Sequence, residues 1–210
     1  MEKWLSLTML GVIILSGCIT EESLKAAETK NFTEKGVDMT KGKVLFIIAP
    51  ENFRDEELLK PKKVLESKGF EVEIASIKTG KAVGMLGAEV EVKKNIYELS
   101  PEEYEAVVLV GGIGASIFFT DEKVQEFFRE AYEKGKVIAA ICISPVTLAK
   151  AGLLKGRNAT VWHSEAETIK EYGAKYTGND VEIDERIVTA NGPEAAEKFG
   201  EAIAKLLEKE

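Results

Sequence analysis

Thiol and imidazole are the side chains best suited to nucleophilic and proton-transfer chemistry near neutral pH. This chain has two cysteines and one histidine in 210 residues. Cys142 follows the continuous apolar run 137–141, which reads as a buried strand, and precedes Ser144-Pro145. Serine at the N-cap and proline at the first helical position mark a helix start. The thiol therefore sits at the carboxyl end of a strand, where open α/β sheets place their ligands, and beside a helix amino end, which favours thiolate. A buried structural cysteine is the competing reading of the same position. His163 closes the segment 158–163, also at an expected strand end. A lone histidine is more often structural, but a cysteine and a histidine at two strand ends make the minimal activated thiol. The loop after the first strand carries Glu56 and Glu57, six and five residues after Pro50. A carboxyl group kept protonated beside a thiol can donate to the thiolate, so that the two titrate as a unit. A solvated acidic helix start is the alternative. Gly111-Gly112-Ile113-Gly114-Ala115-Ser116 also follows an apolar run, and its backbone N–H groups can face a developing oxyanion.

The elements that must position these residues alternate strand and helix. The apolar run 43–49 is a strand buried on both faces. A helical stretch follows up to Lys68-Gly69, beginning near Lys60 or bending at Pro61. Strand 70–77 comes next, then a glycine-punctuated hairpin over 78–94, and strand 106–110. Val124, Phe127, Phe128, Ala131 and Tyr132 fall on one helical face. Strand 137–141, a short strand over 159–162, a helix over 165–172 and a hairpin around Asp184-Glu185 precede a last helix after Gly192-Pro193. This order predicts an α/β fold with a mostly parallel central sheet and helices on both sides, one domain over 43–210.

Composition limits what the chain does. Its 36 acidic and 28 basic side chains give a net charge of −8, and no basic stripe offers itself to nucleic acid. With so few Cys and His residues a disulfide framework and the common zinc sites are excluded, and no metal or cofactor is expected. The glycine segment lacks the third glycine of a dinucleotide fingerprint, and no Walker motif is present.

The N-terminus reads separately from the fold. Residues 4–20 carry no charge, and their apolar heart, 9–15, has the length of a signal-peptide core. Leu15-Ser16-Gly17-Cys18 resembles a bacterial-type lipoprotein processing box, in which the cysteine thiol receives the lipid. The reading is a signal peptide over 1–17, a lipid attachment at Cys18 and a tether over 18–42 with a typical span of about 25 Å. The expected place is the outer face of the cell membrane, held only by this anchor. A mis-assigned start would leave the protein cytoplasmic. Asn31-Phe32-Thr33 and Asn158-Ala159-Thr160 are glycosylation triplets, relevant only to an exported chain.

Taken together, residues 107–112 (VVLVGG), 139–145 (AAICISP), 151–156 (AGLLKG) and 189–193 (TANGP) resemble the ThiJ/PfpI superfamily over residues 43–207. The superfamily includes the parkinsonism-associated deglycase and the PfpI-type peptidases. The resemblance implies a flavodoxin-like α/β/α sandwich, related to class I glutamine amidotransferases and often a dimer or larger homo-oligomer. It implies Cys142 as the reactive cysteine and Glu57 as its carboxyl partner, with Glu56 if the register slips by one. It implies Gly112, with Gly111 and Ile143, as substrate-oxygen donors, and His163 as the histidine of the deglycase-like branch. The peptidases carry His-Gly directly after the cysteine, where this chain has Ile143 and Ser144. The expected activity is therefore on small reactive carbonyls or their adducts. Peptide or amide hydrolysis is the alternative, and a non-catalytic redox-sensing or binding role the third.

Overall fold

The computed structural model describes residues 41–209. The signal-type segment, Cys18, the first glycosylation triplet and most of the proposed tether lie outside the described residues. Lys41, at the end of that tether, donates its N–H to the Gly69 carbonyl at 3.4 Å and pairs with Glu208 at 3.1 Å.

Strands β1 (Lys43–Ile47), β3 (Glu71–Ser76), β6 (Lys94–Asn95), β7 (Ala106–Leu109), β8 (Val137–Ile141), β11 (Val181–Asp184) and β12 (Ile187–Ala190) form the main sheet. Their spatial order is β11-β12-β8-β7-β1-β3-β6. Every neighbouring pair is parallel except β11 with β12, an antiparallel edge hairpin turned at Asp184-Glu185. The central strands are apolar throughout because both faces are covered. In β1, Val44 and Phe46 join one core with Val108, Ala139 and Phe199. Leu45 and Ile47 point the other way, into a core with Val107, Ile138, Phe127 and Phe128.

Helices α1 (Asp55–Ser67) and α5 (Ala196–Leu207) cover the first face; α2 (Glu122–Glu133), α3 (Pro145–Lys150) and α4 (Ala166–Glu171) cover the second. The helix expected to begin near Lys60 or to bend at Pro61 begins at Asp55 instead. Asp55, Glu56 and Glu57 occupy its first turn, where acidic side chains complement the helix dipole. Pro61 lies inside it, so the carbonyl of Glu57 loses its helical donor. Pro61 is buried against α5, where a β-carbon on Gly200 would lie 2.7 Å from the proline Cα.

A second small sheet was legible only in part. Its hairpin, β4 (Gly80–Gly84) with β5 (Glu89–Val92), falls inside the expected excursion. Its third strand, β2 (Glu51–Phe53), pairs parallel with β4 and was not expected. Asp55 fixes the hairpin, accepting from the N–H groups of Leu86 and Ala88 at 2.9 and 2.7 Å. The short strand expected over 159–162 is only β9 (Asn158–Ala159), paired with β10 (Lys175–Tyr176). Among the described residues, no helix is long and apolar enough to cross a membrane.

Candidate active site

β8 ends at Ile141, and the chain turns at once into α3. Cys142 makes that turn with φ +63°, a left-handed conformation that costs a non-glycine residue about 1–3 kcal/mol. Hydrogen bonds on all sides hold it there. The Cys142 N–H donates to the Ala190 carbonyl at 2.9 Å, and the Cys142 carbonyl accepts from Trp162 N–H at 2.8 Å. Ser144 stands at the N-cap position but does not cap. Its Oγ donates to the Val110 carbonyl at 2.9 Å, tying the elbow to the strand next door. Because α3 has only six residues, its dipole is a small influence. The groups that face the sulfur are the N–H donors of Gly112 and Ile143.

Glu57 projects from the first turn of α1 and is fully buried. Its Oε2 accepts the Gly111 N–H at 3.1 Å, and Cys142 is its hydrogen-bonding neighbour. Its Oε1 has no other partner. Glu56, the alternative by one residue, turns outward and pairs with Arg54 at 2.8 and 3.2 Å. The structure therefore brings Glu57, and not Glu56, to the thiol. Gly111 was expected to face substrate oxygen, but its N–H is engaged by Glu57. Gly112 and Ile143 are the donors left to the reacting atom.

His163 does not join them. It is exposed, stacks on Trp162 with ring centroids 4.8 Å apart, and lines a groove on the far side of that indole. A cleft of about 370 Å³ opens over Cys142, walled by Arg54, Glu57, Gly112, Ile113, Ile143 and Trp162. Arg54, Met85, Ile113, Trp162, Pro193 and Glu194 line it and escaped the sequence reading. Arg54 lay within the acidic loop already singled out. Ile113, 65% exposed beside the glycines, carried no separate signal. Among the described residues no group of three His, Cys, Asp or Glu side chains is placed to hold a metal.

Burial governs the electrostatics. It pushes the Glu57 carboxyl up to about 8, against the hydrogen bonds from Cys142 and Gly111. Burial, then the negative charge of Glu57, push the Cys142 thiol up to about 12, against the donors Gly112 and Ile143. The expectation of a thiol depressed by a helix end thus gives way to a buried pair holding both protons at neutral pH. The first proton leaves near about 8, and the second is resisted by the charge already present. Sulfur receives two N–H donors and Glu57 Oε2 one. A carboxylate would also leave Oε1 buried without a donor, whereas a carboxyl O–H on Oε1 points its proton to sulfur. The singly charged pair is therefore best written as thiolate and protonated Glu57.

This arrangement makes two predictions. The Glu57 carboxyl is raised above its unfolded value, so its stabilising contribution is complete below pH 4.5 and is lost as pH rises through about 8. Urea midpoints should fall between pH 5 and pH 9, the change being of the order of a few kcal/mol and absent from Glu57→Gln. Gly111→Ala should disturb the pair directly. Its β-carbon would lie 2.5 Å from Glu57 Oε2 and 2.6 Å from Cys142 Cβ. A loss of about 1–3 kcal/mol on thermal unfolding, with slower thiol alkylation, is expected.

The family profile of the DJ-1/PfpI family matches residues 42–206. The chain belongs to the DJ-1/PfpI family. An uncharacterized protein of Methanocaldococcus jannaschii is 44% identical over 94% of this chain and 93% of its own length. The deglycase PfpI of Pyrococcus furiosus is 35% identical over 72% of this chain and 90% of its own. Among solved structures, a ThiJ/PfpI domain protein of Brachyspira murdochii superposes with a TM-score of 0.78 at 30% identity. That superposition covers 80% of this chain and 97% of the other. The flavodoxin-like sandwich read from the sequence is the fold of this family. Membership makes the protein a probable enzyme whose relatives include deglycases.

Proposed function

We propose that this DJ-1/PfpI protein is a cysteine-dependent enzyme acting on small reactive carbonyls or their adducts, of the glyoxalase or deglycase kind. The observation that carries this reading is the fully buried Glu57 set against a left-handed Cys142 whose sulfur faces two backbone donors. The deglycase names of relatives support it.

The chemistry follows from the groups present. The Cys142 thiolate adds to an aldehyde carbon, forming a C–S bond while the carbonyl π-electrons move to oxygen. The N–H groups of Gly112 and Ile143 stabilise that oxyanion, and Glu57 supplies its proton to give a hemithioacetal. The resulting Glu57 carboxylate then takes the carbon-bound proton. For a 2-oxoaldehyde it returns that proton to the neighbouring carbon, leaving a thioester that water cleaves to a 2-hydroxy acid. No external oxidant or reductant is needed, because one carbon is oxidised as its neighbour is reduced. His163 enters no step; its groove lies beyond Trp162.

The test is consumption of methylglyoxal with formation of lactate, followed across pH. The rate should climb to a plateau above about 8, as the pair loses its first proton. Peptide hydrolysis dependent on Cys142 in the absence of carbonyl consumption would move the assignment to an amide hydrolase. We also propose, from the sequence alone, that Cys18 carries a lipid that holds the protein at the outer face of the membrane. Intact mass of the chain from membranes, against a Cys18→Ser variant, tests this, and a mass beginning at Met1 would refute it. The assembly proposed is a homodimer or larger.

A further inference from the structure

Two cavities meet at one side chain. The cleft over Cys142, about 370 Å³, and a neighbouring groove of about 390 Å³ share Trp162, Pro193 and Glu194. The groove is polar, with His163, Tyr176, Asp180 and Asn191 among its walls. The indole between them is held from three directions. Its backbone N–H is bonded to the Cys142 carbonyl. Its ring lies on Gly192, where a β-carbon would come within 2.8 Å of Cε3 and 2.9 Å of Cζ3. His163 packs on it from the groove side. Yet Trp162 is 38% exposed and belongs to neither hydrophobic core. A large apolar ring fixed at the surface and left partly wet is not placed there by the demands of folding.

We infer that Trp162 is a specificity-determining partition that confines the substrate at Cys142 to short carbonyl compounds by closing the cleft off from the polar groove. A 2-oxoaldehyde with a methyl substituent fits the cleft as it stands. One with an aryl arm, or a carbonyl adduct still attached to a peptide, needs the space beyond the indole. The inference rests on Cys142 as the reacting group, as proposed above.

The experiment uses two electrophiles of identical chemistry and different width, N-methylmaleimide and N-benzylmaleimide. Labelling is read at Cys142 by peptide mass on the full chain. The wild type should discriminate against the benzyl reagent, and Trp162→Ala should raise the benzyl-to-methyl rate ratio roughly tenfold or more, the scale on which pockets reject added bulk. Trp162→Phe should keep most of the discrimination. Trp162→Leu should give an intermediate ratio and serves if the alanine variant does not fold. In turnover, the phenylglyoxal-to-methylglyoxal ratio of kcat/KM should rise in parallel, mainly through KM. An unchanged maleimide ratio in Trp162→Ala or Trp162→Leu overturns the partition. The labelling ratio does not require turnover. A shifted ratio without carbonyl consumption would refute the proposed function and keep the partition; a flat ratio with turnover intact would do the reverse.

Discussion

Cys142→Ala should abolish methylglyoxal consumption, lowering kcat/KM by roughly 10³-fold or more. The reason lies in the chain's inventory. Within residues 41–209, Cys142 is the sole thiol, and its position at the elbow is paid for by a left-handed backbone that nothing in the packing of an alanine would require. Cys142→Ser tests nucleophilicity more finely. A hydroxyl fits the same place but is far less acidic, and nothing in the cleft supplies the base that a serine would need, since His163 stands behind Trp162. Both variants should fold, because Glu57 keeps its bond from Gly111 in each. Methylglyoxal loss by Cys142→Ala at the wild-type rate would exclude the thiol from the reaction.

Glu57→Leu should separate activity from stability. Activity should fall about 10²–10⁴-fold, the usual worth of a positioned proton carrier. Stability should move the other way. The carboxyl must be deprotonated against burial as pH rises through about 8, and a leucine of similar shape has no such requirement. At pH 9 the variant should resist urea better than the wild type, by the order of a few kcal/mol. Near pH 5, where the wild-type carboxyl is neutral, the gain should shrink. An equal gain at both pH values would mean that packing, and not the proton, sets the difference.

The central strands were legible because their environment leaves one solution. Runs such as 44–48 and 106–110 bury both faces, and no helix of that length would do so between glycine-marked turns. The elbow was legible for the same reason: an apolar strand, one cysteine, then Ser-Pro. What could not be read was direction. Spacing along the chain places His163 one residue beyond Trp162, but the orientation of each at the strand end is set by the Trp162 N–H bond to Cys142 and by the bare seat at Gly192. The start of α1 was misjudged because Pro61 looked like a boundary. Its missing donor is tolerated since only one helical bond is lost and its ring packs on α5. Strand β2 is three residues long with Asn52 at φ +58°, too short and too irregular for a periodic signal. The sign of the thiol shift was misread from local chemistry alone, because burial is a property of the assembled fold.

The central claim is that the first proton lost by the Cys142–Glu57 pair leaves a thiolate held by a protonated carboxyl. The pH dependence of Cys142 alkylation by iodoacetamide, read at that residue by peptide mass, tests it most directly in wild type, Glu57→Gln and Glu57→Leu. The account predicts a wild-type rate rising with an apparent pKa near about 8. Glu57→Gln, which still offers an N–H to sulfur, should stay near it, and Glu57→Leu should shift upward and react more slowly below pH 9. If Glu57 is instead the group that ionises first, its charge holds the thiol protonated. Glu57→Leu would then lower the apparent pKa and speed alkylation, and that result would contradict the account.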